Sequence, residues 1–567
     1  MTIFRHPWRF SHHWRRPGKR LAVLAGGLAV ALVAVGWLAV TRTHAGAYVY
    51  PLKVSTNKRY LVDQNNKAFP LTVDTAWTWL AAVPTRSEAD EYLDDRKSQG
   101  FNTIISNMFG WDTRNHSRAG VQAFSNGDLS QPNDAYFTLI DQLLQDAAAR
   151  NMVVMMLPIT LGDNGTDDPG GVPPADQWTA LGTYVANRYK NYDNIIWVMG
   201  GDHDVQQTWD DTTDYTPYID AMANAIKAAD PRHLITYHPA LDTFVLGGKS
   251  WFDFYAYQEN RADSAPWSYD RTASYYGHSP VHPVINLEPG YETGDALTGV
   301  ATTPYMVRRN AWWSFLAGAL GVTYGGNRAT WNIDSDGADW RSYVDLPGAK
   351  QTGYIPQILE KFAWEKLEPN GGPGNGQGHI AWGKAPDNSL LMAYLPQGGS
   401  VTVDTSGMSG ATAEWYDPSN GQLHGAASGS DTYQAPGPNS AGNNDWLLVV
   451  HTPAGLASGQ NGGTPTPAPT ATPVPTPTPA PTATPAPTLS PAPGGTTPTP
   501  APSAAPASTG TPVADIPGDL NHSGTVDISD LTILLTDWDS GTGAADVNHD
   551  GATDVYDLST LLSHWQP

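Results

Sequence analysis

The chain has no cysteine among its 567 residues. That excludes disulfides, a thiolate nucleophile and every zinc site built on Cys ligands. Positive charge is scarce: 32 Lys and Arg stand against 55 Asp and Glu, a formal net charge of −23. Such a surface repels nucleic acid and anionic membrane and suits a soluble, exported protein. A His-Glu-x-x-His zinc pair and a Gly-x-Ser-x-Gly elbow are both missing, which removes two common hydrolase mechanisms. What the chain has in quantity is rings, with 21 Trp and 25 Tyr. Sugar-binding clefts use such rings as stacking platforms, although most aromatic side chains in any protein are core. Residues 21–40 form a long uncharged run after Arg5, Arg9, Arg15, Arg16, Lys19 and Arg20 and before Ala45-Gly46-Ala47. Residues 1–47 therefore read as a secretory signal peptide; a single uncleaved membrane anchor is the alternative, since about 20 apolar residues span a bilayer. Under either reading the remainder lies outside the cell.

The centre of the sequence is Ile195-Ile196-Trp197-Val198-Met199-Gly200-Gly201-Asp202-His203-Asp204. An apolar, β-branched run that breaks at two glycines and ends in carboxylates reads as a buried strand opening into a site. Val284-Ile285-Asn286-Leu287-Glu288-Pro289-Gly290-Tyr291-Glu292 repeats the plan. Two acids delivered at the same end of a barrel, one protonated and one ionised, are what hydrolysis of a glycosidic bond requires. The plain alternative is that each carboxylate caps a helix. Further apolar runs begin near residues 69, 101, 152, 233, 252 and 322, with helical patterns between them. Eight strand–helix units over residues 48–369 predict an α/β fold, a (β/α)8 TIM barrel. A doubly wound sheet is the alternative; it usually carries a glycine-rich phosphate turn after strand one, where this chain has Asp74-Thr75-Ala76-Trp77. Asp74, Asn107, His238, Gln258 and Tyr324 lie at other predicted strand ends and are candidates for binding sugar hydroxyls, together with Trp77, Tyr291 and Glu292.

Residues 370–453 change to short strands separated by Gly, Pro, Asn and Asp, which predicts a small antiparallel β-sandwich. Residues 454–514 are a Thr, Pro and Ala tract that cannot bury a core and reads as an extended, disordered linker. Residues 515–567 are an internal repeat with a shift of 27 residues, a small α-helical module with two calcium loops. The first loop offers Asp519, Asn521, Ser523, Thr525, Asp527 and Asp530, and the second Asp546, Asn548, Asp550, Ala552, Asp554 and Asp557. Oxygen ligands at loop positions 1, 3, 5, 7, 9 and 12, with Gly at 6, wrap Ca2+. Two Ca2+ ions are expected there; the chemistry read from the two acids needs no catalytic cofactor.

The repeat resembles a type I dockerin, which implies docking to a cohesin-bearing scaffold. The barrel resembles the apiosidase-like glycoside hydrolases through Asp74-Thr75-Ala76-Trp77, Gly200-Gly201-Asp202, Glu288-Pro289-Gly290-Tyr291-Glu292 and Trp312-Trp313 ahead of Tyr324-Gly325. That resemblance implies a secreted enzyme cleaving O-glycosidic bonds in polysaccharide with retention, Asp202 being the acid/base and Glu288 the nucleophile. Gln258-Glu259-Asn260-Arg261 departs from the family's usual ending of strand six, which leaves the sugar open. Residues 370–453 are similar to a collagen-binding-type domain of a collagenase. The rival class is a non-catalytic extracellular adhesion or scaffold protein with a degenerate barrel.

Overall fold

The computed structural model describes residues 48–457 apart from 111–112, 119, 162–171, 207–212, 241, 260–265, 295–301, 334–338 and 373, and positions 520, 521, 526, 530, 531, 533, 534, 547 and 561. The expected export segment, nearly all of the Thr-Pro linker, residues Asn260 and Arg261, and all the calcium-loop ligands except Asn521 and Asp530 lie outside the described residues. Two compact units divide the chain, residues 1–467 and 468–567. Among the described residues no helix is long and apolar enough to cross a membrane.

Eight strands form the frame of the first unit: β1 Leu71–Thr75, β2 Thr103–Asn107, β3 Val153–Leu157, β4 Ile195–Gly200, β5 Ile235–His238, β6 Tyr255–Gln258, β7 Val284–Glu288 and β8 Gly321–Tyr324. Strands β5-β4-β3-β2-β1-β8 form one parallel sheet and β6-β7 a parallel pair. Backbone bonds from Asp253 N to Ile235 O (2.9 Å) and from Leu320 N to Val284 O (2.8 Å) close the seams on either side of that pair. The result is the expected barrel. Its strands are buried on both faces, and side chains alternate with period two. Leu71, Val73, Ile105, Met155, Ile196, Val198 and Ile285 fill the interior, whereas Ile104, Val154, Met156, Trp197 and Met199 face the helices.

The helices are α1 Arg86–Gln99, α2 Asp134–Ala149, α3 Ala175–Tyr189, α4 Thr216–Ala229, α5 Trp267–Tyr276, α6 Pro304–Leu316 and α7 Pro347–Leu359. Thr85 caps α1 by accepting from Glu88 N (3.2 Å), as the Thr85-x-x-Glu88 spacing predicts. The apolar pattern over residues 305–320 overruns its helix, because Gly318 at φ +106° ends the turn. The first strand begins two residues later than its apolar run, because Phe69 belongs to a three-stranded antiparallel sheet (residues 53–69) and Pro70 separates the two.

Beyond the barrel, six antiparallel strands between Glu368 and His451 form one sheet, and Ser400–Thr402 pairs with Thr432–Gln434 over one of its faces. Val401, Met408, Trp415, Tyr433, Trp446 and Leu448 fill the space between them. The opposite face, with Met392, Tyr394, Leu447 and Val449, packs on Trp312, Phe315, Ile355 and Leu359 of α6 and α7. One buried ion pair lies in this contact. Arg308 donates to both Asp445 oxygens (2.7 and 2.6 Å), to Gln351 Oε1 (2.8 Å) and to Asn443 Oδ1 (2.8 Å), and Tyr394 Oη donates to Asp445 (2.9 Å). Removing one member of a fully buried pair strands the other without water. Asp445→Ala is therefore expected to cost about 3–5 kcal/mol by denaturant unfolding. A loss below about 1 kcal/mol would mean the pair contributes little to this contact.

In the second unit Val526, Leu534 and Leu561 are buried together, with Leu520, Leu531 and Val547 against them. Asp530 is buried and accepts from Asn521 N (3.0 Å). The position-12 carboxylate of the first loop is thus folded back onto position 3, which brings these two oxygen-bearing side chains of the loop together.

Candidate active site

The two strand-end acids meet at the carboxyl end of the barrel. Strand β4 ends in Gly200 (φ +85°), Gly201 (φ +114°) and Asp202 (φ +53°), three successive left-handed residues that reverse the chain. Position 200 admits only glycine: a Cβ there would lie 2.4 Å from the Tyr237 ring and 2.8 Å from His238 O. Gly201 N donates to His238 O (2.9 Å) and Asp202 N to His238 Nδ1 (3.2 Å), so β5 holds the reversed turn. On β7 the register with β6 shifts between Tyr257/Asn286 and Gln258/Glu288. Ile285 and Leu287 point into the barrel, and strict alternation would send Glu288 out to the helices. The bulge turns it back into the mouth.

Oxygens of Asp202 and Glu288 and a ring nitrogen of His238 lie within 4.8 Å of one another. Glu288 is buried, its side chain 8% exposed, whereas that of Asp202 is 46% exposed at the opening. Burial pushes the Glu288 carboxyl up to about 7, opposed by hydrogen bonds with Tyr291 and Asp202. Burial also drives His238 below its usual value, with Asp202 acting against that shift.

Trp77 Nε1 donates to Tyr291 Oη (2.5 Å), and the Trp77 ring packs edge-on against His238 with centroids 4.7 Å apart. Gly325 makes room for Tyr291, since a Cβ there would stand 2.0 Å from its ring. Trp77, Asn107, Leu157, Thr160, Gly201, Asp202 and His238 line a small cavity at the mouth. Both polar atoms of the Asn107 amide are buried and have no hydrogen-bond partner among the described residues. Gln258, half-buried, sits in register beside Glu288.

The other three sequence candidates are not brought to this mouth. On β1, Leu71 and Val73 point inward, so Asp74 points outward. It is 1% exposed, with Arg96 Nε 3.1 Å away and Tyr92 Oη donating at 2.6 Å. Burial raises its carboxyl pKa, and Arg96 and Tyr92 offset part of that shift. Tyr324 faces the same side and donates to Glu292 Oε2 (2.8 Å), and Glu292 also accepts from Gly348 N (3.0 Å) in the first turn of α7. Asp74, Glu292 and Tyr324 thus surround Arg96, which the sequence reading passed over. Its spacing of four from Tyr92, on the buried stripe of α1, was the available signal. Glu259, the carboxylate that follows β6, is 5% exposed and accepts from Ser268 Oγ (2.5 Å) and Asn286 Nδ2 (2.8 Å). His203, beside Asp202, packs edge-on against Tyr215.

The catalytic-domain family described as apiosidase-like matches residues 55–366, more than half of the chain. The chain belongs to the apiosidase-like family. Its barrel is a glycosidase domain, acting on O-glycosyl bonds. Residues 371–451 match a collagen-binding domain of a collagenase, and residues 517–564 match the type I dockerin domain, a calcium-binding module. Among solved structures, one described as a glycoside hydrolase is 26% identical at a TM-score of 0.62, covering 71% of this chain and 98% of that one. A family 5 glycoside hydrolase from Bacteroides vulgatus ATCC 8482 is 25% identical at a TM-score of 0.61, covering 72% and 96%. No curated protein matches.

Proposed function

We propose that the apiosidase-like barrel cleaves polysaccharide with retention of configuration, Glu288 acting as nucleophile and Asp202 as acid/base. The observation that carries this reading is the approach of the two carboxyls to within 4.8 Å at the mouth. Retaining enzymes hold theirs about 5 Å apart, and inverting enzymes need about 6.5–9.5 Å to fit a water. In the first step a Glu288 oxygen bonds to the anomeric carbon as the bond to the leaving oxygen breaks, and the Asp202 proton moves to that oxygen. In the second, Asp202 takes a proton from water, whose oxygen displaces Glu288. The exposed position of Asp202 suits the group that must meet both leaving group and water. Asn107 and Gln258 offer hydrogen bonds to sugar hydroxyls, and Trp77 offers the wall of the site.

The burial of Glu288 favours one second reading, with the roles exchanged and Glu288 the acid. The pH profile separates the two. A nucleophile must be ionised, so with Glu288 in that role kcat/KM rises through about pH 7; with Glu288 as the acid it falls there. The direct test of the mechanism is NMR of the first-formed anomer from whichever member of an aryl glycoside panel is hydrolysed. Retention is expected. An inverted product removes the nucleophile, and no turnover on aryl glycosides or plant polysaccharides favours a non-catalytic adhesion protein.

The proposed organisation follows the same reading. Residues 1–47 export the chain and are cleaved, the barrel spans 48–369, the β-domain 370–453 and the linker 454–514. Residues 515–567 hold two Ca2+ ions and attach the enzyme to a cohesin outside the cell.

A further inference from the structure

We infer that His238 is a positioning residue that holds both carboxyls, its ring fixed as the neutral Nε2–H tautomer with that proton aimed at Glu288. The inference rests on the reading of Asp202 and Glu288 as the catalytic pair. A backbone N–H can only donate, so Asp202 N at 3.2 Å makes Nδ1 an acceptor, without a proton. In a neutral ring the remaining proton is then on Nε2. Nε2 stands 3.2 Å from Glu288 Oε2, and neither atom has a hydrogen-bond partner among the described residues. The contact is close but unaligned. A small rotation of either side chain, of the kind that accompanies substrate binding, makes it a hydrogen bond.

The surroundings leave His238 little other use. It is 1% exposed and packed edge-on by Trp77. Its own carbonyl accepts from Gly201 N, so one residue anchors two of the three left-handed positions that deliver Asp202. The contacts close into a ring, His238 to Glu288, Glu288 to Tyr291, Tyr291 to Trp77 and Trp77 back to His238, and Asp202 is joined to it through its backbone N–H on His238. The titratable groups facing the His238–Glu288 contact are Asp202 from the β4 turn and Tyr291 from beyond β7. The nearby Glu259 carboxyl, at the end of β6, is engaged by Ser268 and Asn286. Arg96 is engaged with Asp74 instead. The donor that favours the ionised form of Glu288 from β5 is therefore a neutral imidazole.

The test is the pH dependence of kcat, which reports the substrate-bound site, for His238→Leu and His238→Gln in the full chain. Leucine removes the donor and glutamine keeps an amide N–H near the Nε2 position. His238→Leu is expected to move the limb that reports Glu288 upward by about one pH unit or more, because a hydrogen bond to the ionised form is lost. His238→Gln should hold that limb within about half that shift. A limb unmoved in His238→Leu overturns the inference. Which limb moves is a separate answer: the ascending one agrees with Glu288 as nucleophile, whereas the descending one keeps His238 in this role and exchanges those of the acids. Should His238→Leu fail to fold, 15N-histidine NMR of the unsubstituted protein decides, with the His238 signals identified by their loss in His238→Gln. A ring protonated on Nε2 alone from pH 5 to 8 is expected. A proton on Nδ1, or an imidazolium titrating near 6.5, overturns it.

Discussion

Glu288→Ala is expected to lower kcat on the order of 10^5-fold, the scale seen when the residue that makes the covalent bond is removed. Asp202→Ala should cost about 10^2–10^4-fold on poor leaving groups and much less on activated aryl glycosides, which depart without a proton. The contrast matters more than either number, because only a nucleophile is indifferent to how good the leaving group is. Azide, small enough for the space left by the missing carboxylate, should restore turnover to Glu288→Ala and yield a glycosyl azide. The same residue predicts a gain in stability when its charge is removed. A carboxyl at about 7 in the folded chain and 4.5 unfolded binds extra protons when folded between those values, so stability falls as pH rises through that window. Glu288→Gln should therefore be more stable than the parent by up to about 3 kcal/mol at pH 8, with the difference vanishing below about pH 4.5. Activity near the parent's in Glu288→Ala, with loss in Glu259→Ala instead, would move the nucleophile to β6. Equal stability of Glu288→Gln and parent at pH 8 would mean the buried charge is already compensated.

The barrel was legible because most of its strands are largely apolar runs, several of them followed by or ending in Gly or Pro. Gly200-Gly201 and Pro289-Gly290 marked the two functional ends for the same reason. What spacing alone could not decide was which side of the sheet a strand-end residue takes. Asp74, a candidate for binding sugar hydroxyls, is sent out to Arg96 on α1 by one step of parity from Val73. Glu288 would share that fate without the bulge opposite Tyr257, and nothing in Leu287-Glu288-Pro289 announces one. Tyr324 and Glu292 were misleading in the same way. They are polar side chains near the mouth in sequence, but a buried guanidinium and the first turn of α7 needed partners and took them. Arg96 itself was hidden because a charged residue on an amphipathic helix is ordinarily solvated. Only the absence of a solvent-facing position at 96 reveals that it is core. His238 was named from its strand-end position alone. Its backbone partner, which settles the tautomer, lies 36 residues away and has no sequence signature.

Chelation of calcium should unfold residues 515–567 and leave the glycosidase barrel active. The second loop carries Asp546, Asp550, Asp554 and Asp557, and the first Asp519, Asp527 and Asp530. Carboxylates gathered this closely repel one another without a cation. A domain of about 50 residues can bury little apolar surface with which to overcome that repulsion. No site exists in an unfolded chain, so the ion's binding free energy becomes folding free energy. At about 1 mM free Ca2+ and an affinity near 1 μM, each loop contributes roughly 4 kcal/mol. Two loops together approach the whole stability of a small domain, which EDTA would remove. The first loop, with Ser523 where the second has Asp550, has the lower negative charge and should release its ion first, giving two steps in a calcium titration. Hydrogen exchange on the full chain is the measurement. With EDTA, amides of 515–567 should lose protection while those of β1–β8 keep theirs, and turnover of an aryl glycoside should be unchanged. Protection retained in the module would show that its apolar core suffices without metal. Lost turnover would instead tie the barrel to a divalent ion that neither Asp202 nor Glu288 needs in a two-carboxylate mechanism.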